Sequence, residues 1–146
     1  TTESIRMWYA KNITGNAGNV VTITYSAASF NNTYGAVMVA EYSGLNISTP
    51  FDQTAKGSAS ATTVTSSSFT TTSANELIAA CAGIGALNNT FTPDTGYTLQ
   101  MFAPTPTASN AAAYEDKIVS SIQTGVTTSM TSNNNANFAI VVETFK

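Results

Sequence analysis

The chain has 146 residues, enough for one domain and too few for a second independent core. Five basic and eight acidic side chains, no histidine and a formal net charge of −3 argue against nucleic acid, whose phosphates need clustered Lys and Arg. One cysteine excludes an intrachain disulfide framework, and no run of about eighteen apolar residues is present to span a membrane as a helix.

Ser, Thr and Asn make up about 38% of the chain, so its surface must be wetted by hydroxyls and amides rather than by charge. This composition leads us to expect a secreted, extracellular protein. Because the sequence starts at Thr1 rather than Met, a processed or excised piece of a longer precursor is expected. Sequons fall at Asn12, Asn31, Asn46 and Asn88.

Helical periodicity is nearly absent, and apolar alternation with a period of two recurs along the chain. The first predicted strand is 5–9, ending before the turn-rich 12–18. Within it Trp8 shares a face with Arg6, opposite Ile5, Met7 and Tyr9, so Trp8 points outward if the apolar triplet faces the core. Strands at 20–25 and 36–42 follow; in the latter Tyr42 lies with Met38 and Ala40, and Glu41 with Val37 and Val39. The polar stretch 45–68 predicts one or two short strands, around 62–65 and 69–72.

Residues 76–84 are the most apolar run and predict a central strand buried on both faces. Cys81 lies within it and reads as a buried small hydrophobe, since no cation nearby in sequence would stabilise a thiolate. The turn Pro93-Asp94-Thr95-Gly96 precedes a strand at 97–102, and Pro104 and Pro106 mark a loop or an edge. Strands at 113–121, 126–130 and 138–145 complete the set, the last two separated by the turn-like Ser132-Asn133-Asn134-Asn135. Nine or ten strands, short turns and no crossover helices predict an all-β, antiparallel two-sheet jelly-roll sandwich.

Several ordered blocks resemble a family of uncharacterised jelly-roll modules found in large secreted bacterial proteins. They are Trp8-Tyr9-Ala10-Lys11-Asn12, Val20-Val21-Thr22-Ile23-Thr24, Ala40-Glu41-Tyr42-Ser43-Gly44, Ala74-Asn75-Glu76-Leu77, Gly96-Tyr97-Thr98, Tyr114-Glu115-Asp116-Lys117 and Glu143-Thr144-Phe145-Lys146. The resemblance covers nearly the whole chain and implies kinship with concanavalin-like and carbohydrate-binding folds. It also implies one or two further strands ahead of 5–9. A sandwich lacking such a strand has an open edge that a neighbouring chain can complete.

Without histidine there is no Ser-His-Asp or Cys-His arrangement, and one Cys cannot build a zinc site. Paired carboxylates are the remaining catalytic device, with Glu41, Glu76, Glu115, Asp116 and Glu143 as candidates. The competing reading of each is a solvent-facing or lysine-paired side chain, and no enzyme activity is expected. Asp52, Asp94 and Asp116 stand apart with no calcium-loop motif, so no cofactor is expected either.

Aromatic rings carry the binding expectation, because sugars stack C–H faces on Trp and Tyr while Asn, Thr and Asp take the hydroxyls. The candidate ligand-binding residues are Trp8, Tyr9, Tyr42, Tyr97 and Tyr114, with Tyr34 a further ring. The expected function is a non-catalytic extracellular module binding polysaccharide or a cell-surface glycan. The alternative is a structural or assembly subunit, a homo-oligomer joined through its sheet edges.

Overall fold

The run Glu76–Ile84 forms a strand buried on both faces, as its composition predicts. In the computed structural model, which describes residues 4–24, 36–87, 89–103 and 110–146, that strand is the middle of the main sheet. The strands are β1 (Phe51–Thr65), β2 (Glu76–Ile84), β3 (Phe91–Thr92), β4 (Thr98–Ala103), β5 (Ala111–Val119) and β6 (Ser129–Phe145). They bond in the order β1-β6-β2-β5-β4 with β3 beside β6, every pairing antiparallel. There is no helix among the described residues, hence none able to cross a membrane. The fold class is all-β.

β1 and β6 are long because each bends back over the sheet. Ala61 pairs with Ala136 but Thr63 with Thr131, so residues 132–135 of β6 stand opposite Thr62 alone. Past this irregularity the strand tips reverse: a Cβ on Gly57 would lie 1.9 Å from the carbonyl oxygen of Thr65. Ser67 likewise donates its amide to the Lys56 carbonyl at 2.9 Å. Eight residues of straight strand would separate Gly57 from Thr65 by about 26 Å. The tips carry β3, and Phe69 bridges Val126 beside them. The main core brings Ile78, Ala80, Ile84, Phe138 and Val142 together with Val64, Phe69, Phe91 and Met130.

The same bend explains where sequence and structure differ at the polar segments. The predicted strand at 62–65 is the tip of β1, which begins much earlier, at Phe51. Of 69–72 only Phe69 makes a bridge. The predicted turn at 132–135 is a bulge inside one continuous strand, held by side chains rather than by turn geometry. Asn133 Oδ1 accepts the Thr90 amide at 2.8 Å, and Asn134 Nδ2 donates to the Leu87 carbonyl at 2.8 Å.

The segments 5–9 and 36–42, predicted as strands, carry no ladder pairing. They pack across the sheet's other face instead. Ile5 reaches over Gly83, Met7, Met38 and Leu45 pack on Leu77, Ala79, Tyr114 and Phe145, and Tyr9 stacks beside Phe51 at 6.0 Å. Alternation reports which side chains turn inward, not whether a backbone finds a neighbour, and here only the first holds. Residues 20–24 also lack ladder pairing and leave Val20, Val21 and Ile23 exposed. Tyr25, Tyr34, Asn31, Asn88, Pro104 and Pro106 lie outside the described residues.

Candidate functional site

A shallow depression of about 280 Å³ opens where residues 40–42 meet the β4–β5 edge of the sheet, lined by Ala40, Glu41, Tyr42, Gln100, Met101 and Asp116. β5 alternates, so Tyr114 and Asp116 share the face that 36–42 covers. β4 contributes through an irregularity: Leu99 pairs with Glu115 and Met101 with Tyr114, leaving Gln100 as the extra residue. Such a bulge re-aims a side chain. Gln100 Nε2 consequently reaches Asp116 Oδ1 at 2.9 Å.

The polar groups here form one network. The Tyr42 hydroxyl donates a short hydrogen bond to Asp116 Oδ2 and lies 2.9 Å from the Tyr114 hydroxyl. With its own proton spent on Asp116, Tyr42 accepts from Tyr114. Burial and the Asp116 carboxylate hold the Tyr42 phenol well above its ordinary pKa, and burial pushes Tyr114 up to about 12, so both rings stay neutral donors. Each Asp116 oxygen retains a lone pair, Glu41 offers an exposed carboxylate beside it, and Met101 and the Tyr42 ring supply apolar surface. This set of acceptors beside apolar surface suits a ligand that donates hydrogen bonds, and disfavours an anion.

The structure brings together two of the five predicted binding rings, Tyr42 and Tyr114, although Tyr114 is buried and contributes only its hydroxyl. Trp8 is 75% exposed and turned outward with Arg6, as the alternation of 5–9 predicts. Tyr9 is half-exposed but occupied against Phe51 and Phe145. Tyr97 packs on the main core at the opposite face, with its hydroxyl 2.8 Å from Thr128 Oγ1 and the Lys117 ammonium over its ring. Gln100 and Met101 were not among the expected residues; only the bulge places them at the depression.

Of the five candidate carboxylates, Glu41 and Asp116 both line the depression, and the other three lie elsewhere on the sheet. Glu76 and Glu115 belong to the core face of the sheet. Asp116 and Glu143 share the other face on either side of Ala79, their Cα atoms two strand spacings or about 10 Å apart. Asp52 pairs with Lys146, Asp94 accepts the amides of Thr95 and Ser129, and Asp116 serves Tyr42 and Gln100. Among the described residues no three acidic or cysteine side chains cluster to hold a metal ion. Cys81 is partly buried and its thiol is pushed up to about 11 by burial, which disfavours the thiolate. The Asn46 side chain is engaged by the amides of Ser48 and Thr49, and Asn12 is exposed at positive φ.

Fold and site together define an antiparallel all-β domain that carries a shallow depression built on the Tyr42–Asp116–Gln100 network. Comparison of the chain with protein-family models, with curated proteins and with solved structures finds no match.

Proposed function

We propose that this chain is an extracellular, jelly-roll-type module that binds carbohydrate at the depression around Tyr42 and performs no catalysis. The observation that carries the reading is the Tyr42–Asp116–Gln100 network beside Met101, an open site pairing fixed hydroxyl-binding groups with apolar surface. The fold-over of β1 and β6 supports a two-layer jelly-roll architecture, in which strands bend from one sheet to the other. The resemblance noted in the sequence and its uncharged polar composition point the same way. Trp8 offers a second, exposed ring on which a longer glycan can stack.

Calorimetric titration with soluble oligosaccharides tests the site. Gln100→Ala is expected to weaken binding about tenfold, the worth of roughly one buried hydrogen bond. Trp8→Ala is expected to weaken long oligosaccharides more than short ones. Unchanged affinity in Gln100→Ala would remove the depression from the account.

A second reading, assembly with further copies or neighbouring chains, is favoured by one specific feature. Val20, Val21, Val37 and Val39 are all exposed on segments that carry no ladder pairing. Sedimentation velocity over a wide concentration range separates the two: the binding module stays monomeric, and an assembly subunit does not.

A further inference from the structure

At the end of the sheet where Phe51 pairs with Phe145, two carboxylates and a part-exposed lysine come together. Asp52 comes from β1, Lys146 directly follows the last residue of β6, and Glu76 opens β2. β6 lies between the other two, and its register is pinned there by the Phe51–Phe145 and Leu77–Phe145 pairings and by the Lys146 amide donating to the Pro50 carbonyl at 2.8 Å. Lys146 Nζ lies 3.2 Å from Asp52 Oδ1; the Asp52 side chain is only 3% exposed, against 32% for that of Lys146. Glu76 is fully buried next to Asp52 and Thr144, with Oε1 accepting the Ser73 amide at 2.8 Å and Oε2 without a hydrogen bond. The Thr72 amide donates to Asp52 Oδ2 at 2.8 Å, and the Thr72 hydroxyl makes a short bond to Oδ1. Phe51, Phe145 and Tyr9 pack together at the same strand ends.

We propose that Lys146 and Asp52 condense to an intramolecular amide, a covalent staple between β1 and β6, with Glu76 carrying the protons. The ammonium first gives a proton to the Asp52 carboxylate. The neutral Nζ then attacks Cγ, and the oxygen that becomes negative is held by the Thr72 amide. Glu76 takes the second proton from nitrogen and delivers one to the departing hydroxyl, which leaves as water. One C–N bond forms, one C–O bond breaks, one water is released, and nothing is oxidised or reduced.

In free solution an ammonium and a carboxylate do not condense. Here they are held in contact, where effective molarities of about 10⁵–10⁸ M apply to well-oriented groups. Exchanging the pair for a neutral amide also removes the cost of keeping the buried Asp52 charge out of water. Burial, reinforced by Asp52, raises the Glu76 carboxyl against the hydrogen bonds of Ser73 and Thr144, in the direction that favours proton exchange with its neighbours. This inference goes beyond carbohydrate binding and stands or falls independently of it. A staple at this position would lock the edge strand β1 to the sheet, useful in a protein exposed to proteases or tension.

The test is the intact mass of the purified, folded chain after denaturation, followed by peptide mapping. The expected result is a mass lower than that of the sequence by one water, and a branched peptide joining the segments that carry Asp52 and Lys146. Asp52→Ala and Lys146→Arg should restore the full mass for their sequences, and Glu76→Gln should leave most molecules unlinked. A folded wild-type chain that keeps its full mass after prolonged incubation at neutral pH overturns the proposal and leaves an ordinary ion pair. Loss of water without the branched peptide, as in a succinimide at Asp52, overturns it equally.

Discussion

Gly57→Ala is expected to destabilise the fold by about 3 kcal/mol or more, at or above the upper end of what overpacking usually costs. The added methyl would sit 1.9 Å from the Thr65 carbonyl oxygen, 2.8 Å from its carbon and 3.1 Å from the Ser66 Cα. All three are backbone atoms, so no rotamer change relieves the clash. The tip of β1 would have to move away from Gly57, taking Val64 from the core. Gly15→Ala is the matched control, because nothing lies within 4 Å of its Cβ position. Urea denaturation of both variants gives the comparison. Equal midpoints would mean that β1 does not double back as described.

The second large effect is a fall in stability as pH rises through the weakly acidic range. Glu115 is fully buried, with Oε2 accepting the Asp94 amide at 2.9 Å and Oε1 without a partner. Burial, helped by the nearby Asp94 and Asp116 carboxylates, pushes its pKa up to about 7 from an ordinary 4.5. Between these values the folded chain binds more protons than the unfolded chain, so stability is greatest below the lower value and is lost as pH rises through the upper one. The shift corresponds to about 3 kcal/mol. Burial raises Glu76 and Glu143 as well, which adds to the same trend.

In the chain without the Asp52–Lys146 amide, Asp52 opposes it at the acid end. Burial alone would raise its carboxyl, but the Thr72 hydrogen bonds and the Lys146 ammonium outweigh burial and hold it below its ordinary value. Its contribution is present above the ordinary carboxylate range and disappears as pH falls through the lowered pKa. Denaturant titrations should therefore show higher stability near about pH 5 than near about pH 8. Glu115→Gln should flatten most of that difference. A wild-type profile that is level or rises over this interval would contradict the burial of Glu115.

What could be read from the sequence follows from which physical signal each element carries. β2 was legible because a strand buried on both faces must be apolar throughout, and Leu77 to Ile84 contains no charged side chain. The start of β4 was legible through the turn before it, where Gly96 adopts φ +81°. The first half of β1 was not. Its Thr, Ser, Ala and Gly residues form an edge strand with few inward apolar side chains, and such a composition reads as loop. At residues 132–135 an Asn cluster signals a turn locally, but its side chains bind Thr90 and Leu87 and hold the strand through a bulge.

The candidate site was half legible for the same reason. Alternation correctly turned Trp8 away from Met7 and put Tyr42 on the same face as Met38, the face that packs on the sheet. It could not place Gln100, because a bulge breaks the period-two rule on which the reading depends. Nor could it bring Asp52, Glu76 and Lys146 together, since their proximity depends on the strand order β1-β6-β2.

Retention on a panel of insoluble polysaccharides, wild type beside Tyr42→Ala, tests the proposed function most directly. The account predicts that one or two polymers hold the wild-type chain and release Tyr42→Ala, whose fold is checked by its denaturation midpoint. Retention by none of them, or equal retention of both proteins, would contradict a carbohydrate site at Tyr42.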